Sequence, residues 1–235
     1  KSKIFYENKK VTTRKRRFVE NAYNKKISEV YFMDDNLLGL KNKKKILSYL
    51  KKEISKFDAV ILIDYGHGFI DNDIYNILRQ KAKFLAINCQ TNSANLGFNL
   101  ITKYPVSDFI CIDEPELRLA ASDNRSEIED IGKNQITKKI KCKNITITRG
   151  RNGSFSYSNS NVFNTPALIS DKVIDTIGAG DVFLVITSLL YSTKSDQLVT
   201  NIIGNIAGAL KVDILGHSKS ISRSNFYAVL NHILK

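Results

Sequence analysis

The run Asp175-Thr176-Ile177-Gly178-Ala179-Gly180-Asp181 holds the residues best suited to chemistry in this chain. Gly178-Ala179-Gly180 carries almost no side-chain bulk, so backbone N–H groups there can approach a ligand closely. An apolar, helix-like run from Val182 to Ile186 follows. A helix N-terminus adds unpaired donors and the positive end of its dipole. Such a turn is a cradle for an anion, a transferring phosphoryl group among them. Asp181, at the head of the helix, is placed to take a proton from an attacking hydroxyl. The same residues also read as an Asp N-cap behind a glycine turn, with no catalytic part. The chain has no G-x-x-x-x-G-K-[ST] loop, and no G-x-G-x-x-G fingerprint because position 183 is Phe. The residues by themselves reach a phosphate cradle beside a carboxylate, with the cap as the competing reading.

The elements that must position this turn follow from hydrophobic spacing. Residues 3–35 read as extended, with partial alternation in Ile27 to Phe32. From about residue 40, Ile46, Leu47, Leu50, Ile54 and Phe57 recur at helical spacing. Short apolar runs at 59–63, 84–87, 109–112 and 145–148 predict strands. Helices are expected near 73–83 and over a stretch holding Ile128, Ile131, Ile136 and Ile140. This alternation predicts an α/β fold with a parallel sheet covered on both faces. Asn152-Gly153 predicts a tight hairpin, and residues beyond about 180 read as mostly helical. Ligands bind beyond the carboxyl ends of strands in such sheets. That directs attention to Asp64 to Gly68, Asn88 to Thr91, Asp113 to Glu116 and Arg149 to Gly153, all polar, acidic or glycine-rich.

Bulk properties narrow the class. The 235 residues, 43% hydrophobic and 25% charged, are enough for one domain with a sizeable core. No apolar run approaches the roughly 20 residues of a membrane span, and no signal peptide is expected. The absence of an initiator Met suggests a chain that begins in mid-protein, or one that was processed or trimmed. Cys89, Cys111 and Cys142 form no C-x-x-C pair and read as buried, reduced thiols of a cytoplasmic protein. The net charge of +13 is read as lysines on solvated helix faces, not as a nucleic-acid surface, since no basic–aromatic interleaving occurs. Arg14 to Arg17 could grip a phosphate, although a solvated strand face is the favoured reading.

Asp-Thr-Ile-Gly-Ala-Gly-Asp followed by Val-Phe resembles the C-terminal signature of the ribokinase/PfkB carbohydrate kinase family. Ile147 to Gly153 is similar to the family's T-x-G-x-x-G hairpin, and Asn205 to Leu210 to a helix walling the adenine site. Asp113 to Glu116 stands where the family has N-x-x-E, with Asp113 in place of Asn. Within the family, Thr12 to Arg17, Glu29 to Asp35 and Leu62 to Gly68 look most like the heptose kinase group, with His67 where Lys is usual. The Ala86 to Asn95 segment departs from that group's D-P-K-G.

The resemblance implies a parallel-sheet, three-layer α/β sandwich of ribokinase type that lacks its N-terminal part. Residues 1–38 would form a strand-rich, lid-side segment and 39–235 the nucleotide-binding core. The implied activity is ATP-dependent phosphorylation of a hydroxyl on a sugar or sugar phosphate, a heptose phosphate being one candidate, with Mg²⁺. Asp181 would be the base, with Gly178, Ala179 and Gly180 the anion hole. Thr148, Gly150, Gly153 and Asn205 would line the nucleotide, and Glu116 with Asp113 would serve the metal. A homodimer and a fused nucleotidyltransferase domain fit the same resemblance. The rival is a non-catalytic nucleotide- or sugar-binding module of the same fold.

Overall fold

The computed structural model describes residues 2–7, 10–20, 25–34, 38–93, 95–158, 161–168 and 173–233. Asp35, the end of one segment singled out above, lies outside the described residues. The elements are β1 (Arg14–Glu20), β2 (Lys25–Phe32), α1 (Leu40–Glu53), β3 (Val60–Asp64), α2 (Asn72–Lys81), β4 (Leu85–Cys89), β5 (Val106–Asp113) and α3 (Glu114–Ala121). Then come α4 (Ile128–Asp130), a π-helical stretch (Ile131–Ile136), α5 (Thr137–Lys139), β6 (Lys141–Thr148), β7 (Ser154–Ser158) and β8 (Asn161–Thr165). The chain closes with α6 (Ala179–Ser192), α7 (Gln197–Val212) and α8 (Arg223–Ile233).

β1 and β2 pair antiparallel as a separate two-stranded sheet. The other strands form a six-stranded sheet in the order β3-β4-β5-β6-β7-β8. β3 to β6 run parallel and β6 to β8 antiparallel, so the expected parallel sheet is mixed. A right-handed crossover repeated in one direction puts every connection on the same face. The segments between β3 and β6 accordingly pack there. Leu62, Ile87, Ile110, Ile112, Ile145 and Ile147 meet Ile74, Leu78, Leu117, Ile131 and Ile136 in the larger core. Alternate residues point the other way, as a strand's period of two requires. Ala86, Phe109 and Cys111 meet Phe183, Leu184 and Tyr191, so α6 covers the second face. Each fully buried aliphatic side chain adds roughly 1.5–3 kcal/mol relative to exposure. The sandwich therefore holds the carboxyl ends of β3 to β6 as a firm rim.

The expected elements occur with shifted ends. The helix at Ile128 to Ile140 is broken by the π-helical stretch, and Ile140 lies just outside it. The β6–β7 hairpin is not a two-residue turn. A 3₁₀ turn over Gly150–Asn152 carries it, closed by Arg149 N donating to Gly153 O at 2.8 Å. Asp113 to Glu116 is not a polar loop but the last residue of β5 running straight into α3.

Candidate active site

The rim is built by strand register. Asp64 lies beside Cys89, and Asp113 beside Thr148, so the parallel strands end together. The chain leaves β5 through a capping box. Asp113 Oδ1 accepts from Glu116 N at 2.8 Å, and Glu116 Oε2 accepts from Asp113 N at 3.0 Å. Pro115 sits in the first turn, where its missing N–H costs nothing. Glu116 Oε1 also takes Thr91 N at 2.9 Å, which ties the loop after β4 to α3. Glu116 is buried, and that burial, with the Asp113 charge behind it, pushes its pKa up to about 7 against the two N–H bonds. Asp113 is exposed by surface area, yet the protein packed around its carboxyl still raises its pKa.

The glycine turn faces this corner. Gly178 is the N-cap of α6 with φ 81°, a left-handed conformation that favours glycine, and it gives no side-chain cap. Asp181 stands in the first helical turn and is exposed. The reading of Asp181 as an N-cap is thereby overturned: the backbone enters the helix before it. A Cβ added at Gly180 would meet nothing within 4 Å, so the turn opens onto free space. The Asp181 charge acts second to burial in raising Tyr65, and it also reaches Glu116 and Cys111. Tyr65, Cys111, Glu116 and Asp181 all line one space.

That space is a broad cleft of about 2000 Å³. It exceeds the roughly 300–1,000 Å³ that a single small ligand fills. Asp113, Glu116, Thr148, Gly150, Gly153, Gly178, Ala179, Gly180, Asp181 and Asn205 all line it. Two of these also have plain structural duties. A Cβ at Gly153, whose φ is 78°, would lie 2.0 Å from Thr165 O. Asn205 Nδ2 donates to Ser154 Oγ at 3.2 Å, joining α7 to β7.

Of the basic run, only alternate residues reach the cleft. Lys15 and Arg17 line it, joined by Lys26 of β2. Arg14 and Arg16 lie over the Phe32 ring at 4.4 and 5.5 Å, on the other face of the ribbon, because successive strand residues point oppositely. Their assignment to a phosphate grip is corrected on that ground. Arg17 pairs with Glu29 at 3.3 Å and Lys26 with Glu29 at 3.0 Å. Burial works to raise Glu29, but hydrogen bonds from Lys26 and Tyr31, with the Arg17 charge, outweigh it and lower the pKa. Lys15 lies 5.0 Å from the Tyr31 ring and 5.5 Å from the Tyr65 ring, and burial lowers its pKa. It thus links the ribbon to the loop after β3. Buried Asp64 anchors that loop, accepting from Gly66 N at 2.9 Å and Tyr104 Oη at 2.7 Å and pairing with Lys103. His67 lines the cleft as well.

The sequence reading missed Arg118, His217, and Arg149 as an anion contact, all of which line the cleft, whereas Asn88, within the set singled out after β4, lines it as expected. Arg149 has its Nε buried without a hydrogen bond, 4.0 Å from Glu114 Oε2, with Nη1 3.5 Å from Asn164 Oδ1. The rest of the guanidinium is partly exposed, and a charged fork at the cleft wall is suited to a phosphate oxygen. Its position after β6, inside the hairpin motif, was the available signal.

A mixed α/β sheet with a glycine turn at a helix N-terminus and a carboxylate at the strand ends defines an α/β class whose ligands are expected at that edge. A family model described as pfkB family carbohydrate kinase matches residues 23–197, and the chain belongs to that family. It is 25% identical over 174 residues to the bifunctional protein HldE of Koribacter versatilis, covering 73% of this chain and 35% of that protein. It is 22% identical over 219 residues to the Helicobacter hepaticus HldE, covering 92% of this chain and 44% of that protein. The chain thus spans less than half the length of these curated relatives. Its fold is that of the ribokinase from Thermotoga maritima, with TM-score 0.67, 18% identity and coverage of 94% of this chain and 70% of that one.

Proposed function

We propose that the cleft transfers the γ-phosphoryl group of ATP to a hydroxyl of a sugar that already carries a phosphate. The observation that carries this reading is Asp181 in the first turn of α6, exposed to a cleft whose rim is the Gly178–Gly180 turn. Membership of a carbohydrate kinase family supports the sugar as acceptor. The cleft volume supports two ligands side by side.

Asp181 accepts the proton of the attacking hydroxyl and so orients that oxygen toward the phosphorus. The N–H groups of Gly178, Gly180 and Asp181 and the α6 dipole face the charge that develops on the transferred group, while Ala179 N donates to Thr176 O at 3.3 Å within the turn. Thr148, Gly150 and Gly153 support a nucleotide lying along the hairpin, with Asn205 holding the wall behind it. Arg149, partly exposed on the cleft wall, gives a guanidinium N–H to a phosphate oxygen. Lys15 and Arg17 hold the phosphate that the sugar already bears.

Magnesium fits in one form only. Among the described residues no group of three or more His, Cys, Asp or Glu is placed to hold a metal ion. Magnesium is usually held by one or two carboxylates together with substrate phosphates. Glu116 and Asp113 suit that role through the lone pairs their capping bonds leave free. When bound, the ion would neutralise phosphate charge during transfer.

The test is thermal and kinetic on the full-length protein. MgATP binds only the folded state, so at 100 times Kd it should add about 2.7 kcal/mol of stability and raise Tm. Turnover should be faster, by kcat/KM, on a phosphorylated sugar than on its unphosphorylated parent. No Tm shift at millimolar ATP counts against nucleotide binding. Equal kcat/KM for the two sugars removes the phosphate from the acceptor.

A further inference from the structure

A buried lysine underlies the glycine turn, and nothing in the mechanism above employs it. Lys211, in the last turn of α7, is only 4% exposed. Its Nζ donates to Gly216 O at 2.8 Å and to Ile214 O at 3.4 Å. Among the described residues it has no carboxylate partner within ion-pair distance. Burying an ammonium without a counter-charge is costly unless hydrogen bonds and dipoles compensate. The carbonyls past the end of α7 supply part of that compensation, and the helix C-terminus supplies more.

The location makes the charge useful. A Cβ built on Gly178 would lie 3.2 Å from Lys211 Cε and 3.8 Å from Nζ. The ammonium therefore sits directly behind the turn that faces the developing phosphoryl charge. The same residues stitch the turn to the tail of α7. Gly216 gives its carbonyl to Lys211 and its N–H to Asp175 Oδ2 at 2.8 Å. Asp175 Oδ1 takes Ile177 N at 2.9 Å, and Asp175 N donates to Val212 O at 3.0 Å. Lysine, Gly216, Asp175 and the turn thus form one continuous chain of hydrogen bonds.

We infer that Lys211 is a positioning residue: a built-in cation that fixes the Gly178–Gly180 turn from behind and biases it toward anions. The inference rests on the phosphoryl-transfer reading of the cleft. Lys211→Met keeps most of the volume and removes the charge. In the full-length protein it should lower kcat by about tenfold or more, less than the roughly 10²–10³ lost with a direct oxyanion donor. KM for the sugar should stay unchanged, because the acceptor's contacts lie elsewhere. Ethylammonium added to Lys211→Ala should restore part of kcat, whereas tetramethylammonium, which has no N–H, should not. A role confined to folding would lower Tm and the active fraction without this split or rescue.

Wild-type protein gives a readout that needs no variant to fold. With ¹⁵N-lysine labelling, the slowly exchanging Nζ signal of the buried ammonium should shift on adding MgADP with vanadate as a phosphoryl mimic. Wild-type turnover with a well-folded Lys211→Met of equal kcat overturns the inference and leaves the kinase reading standing. An Nζ signal unmoved by a bound mimic overturns it also. Absence of wild-type turnover on any sugar instead sinks the kinase reading itself.

Discussion

Replacing Glu116 with Gln should change the pH dependence of stability in a defined way. Glu116 is buried, and its pKa rises from the ordinary 4.5 to about 7. The folded state therefore holds this proton more tightly than the unfolded chain does. A group of this kind contributes its full stability below about pH 4.5 and loses it as the pH climbs through about 7. The rise from 4.5 to about 7 converts to roughly 3 kcal/mol at 1.36 kcal/mol for each pKa unit. Gln keeps the volume and one acceptor, but it sets an NH₂ against one of the two backbone N–H groups from Thr91 and Asp113. The variant should thus lose about 1–3 kcal/mol at low pH. Without an ionisable group there, it should not lose more as the pH rises. Urea unfolding across this window, without nucleotide, gives both curves. The stability difference, wild type minus variant, should fall by about 2–3 kcal/mol from about pH 4.5 to about pH 8. Parallel curves would refute the claim that burial holds this proton on the carboxyl.

Two contrasts test the geometry of the cleft wall. Gly153→Ala drives a Cβ to 2.0 Å from Thr165 O at a φ of 78°, whereas Gly150→Ala at φ 53° meets nothing within 4 Å. The first should cost about 3 kcal/mol or more by urea unfolding and the second about 1–2 kcal/mol; equal losses would show that the hairpin relaxes freely. Arg17→Met should raise KM for a phosphorylated sugar about tenfold, while Arg16→Met, on the outer face over Phe32, should leave it alone. Equal effects of the two on KM would mean that the ribbon does not present the inward face described.

Much of this arrangement was legible before any coordinates. The apolar runs gave the parallel strands because buried strands must be continuously apolar, and Ile110 and Ile112 duly alternate with Phe109 and Cys111 between the two faces. The candidate residues could be gathered into one cleft because strand ends in such sheets converge. Details set by local hydrogen bonding were not legible. Asp113 to Glu116 is polar enough to pass for a loop, and the capping box that makes it a helix start depends on backbone geometry. The position of Asp181 inside α6 turns on the left-handed Gly178, which a Gly-Ala-Gly run permits at more than one place. Arg14 to Arg17 looked like one cluster because composition ignores facing. Lys211 carried no signal at all, being one among 36 Lys and Arg. Only packing reveals that its charge is buried.

Turnover by Asp181→Asn tests the central claim most directly. The amide keeps the size and the first-turn position of Asp181 but cannot take the proton of the attacking hydroxyl. General-base contributions are on the order of 10²–10⁴ in rate, so kcat in the full-length protein should fall by that factor. Tm should be nearly unchanged, since Asp181 is exposed and Gly178, not Asp181, caps α6. ATP affinity should hold or tighten slightly as a negative charge leaves the neighbourhood of the γ-phosphate. Near-wild-type turnover in a variant that melts at the wild-type temperature would contradict the assignment of Asp181 as the base.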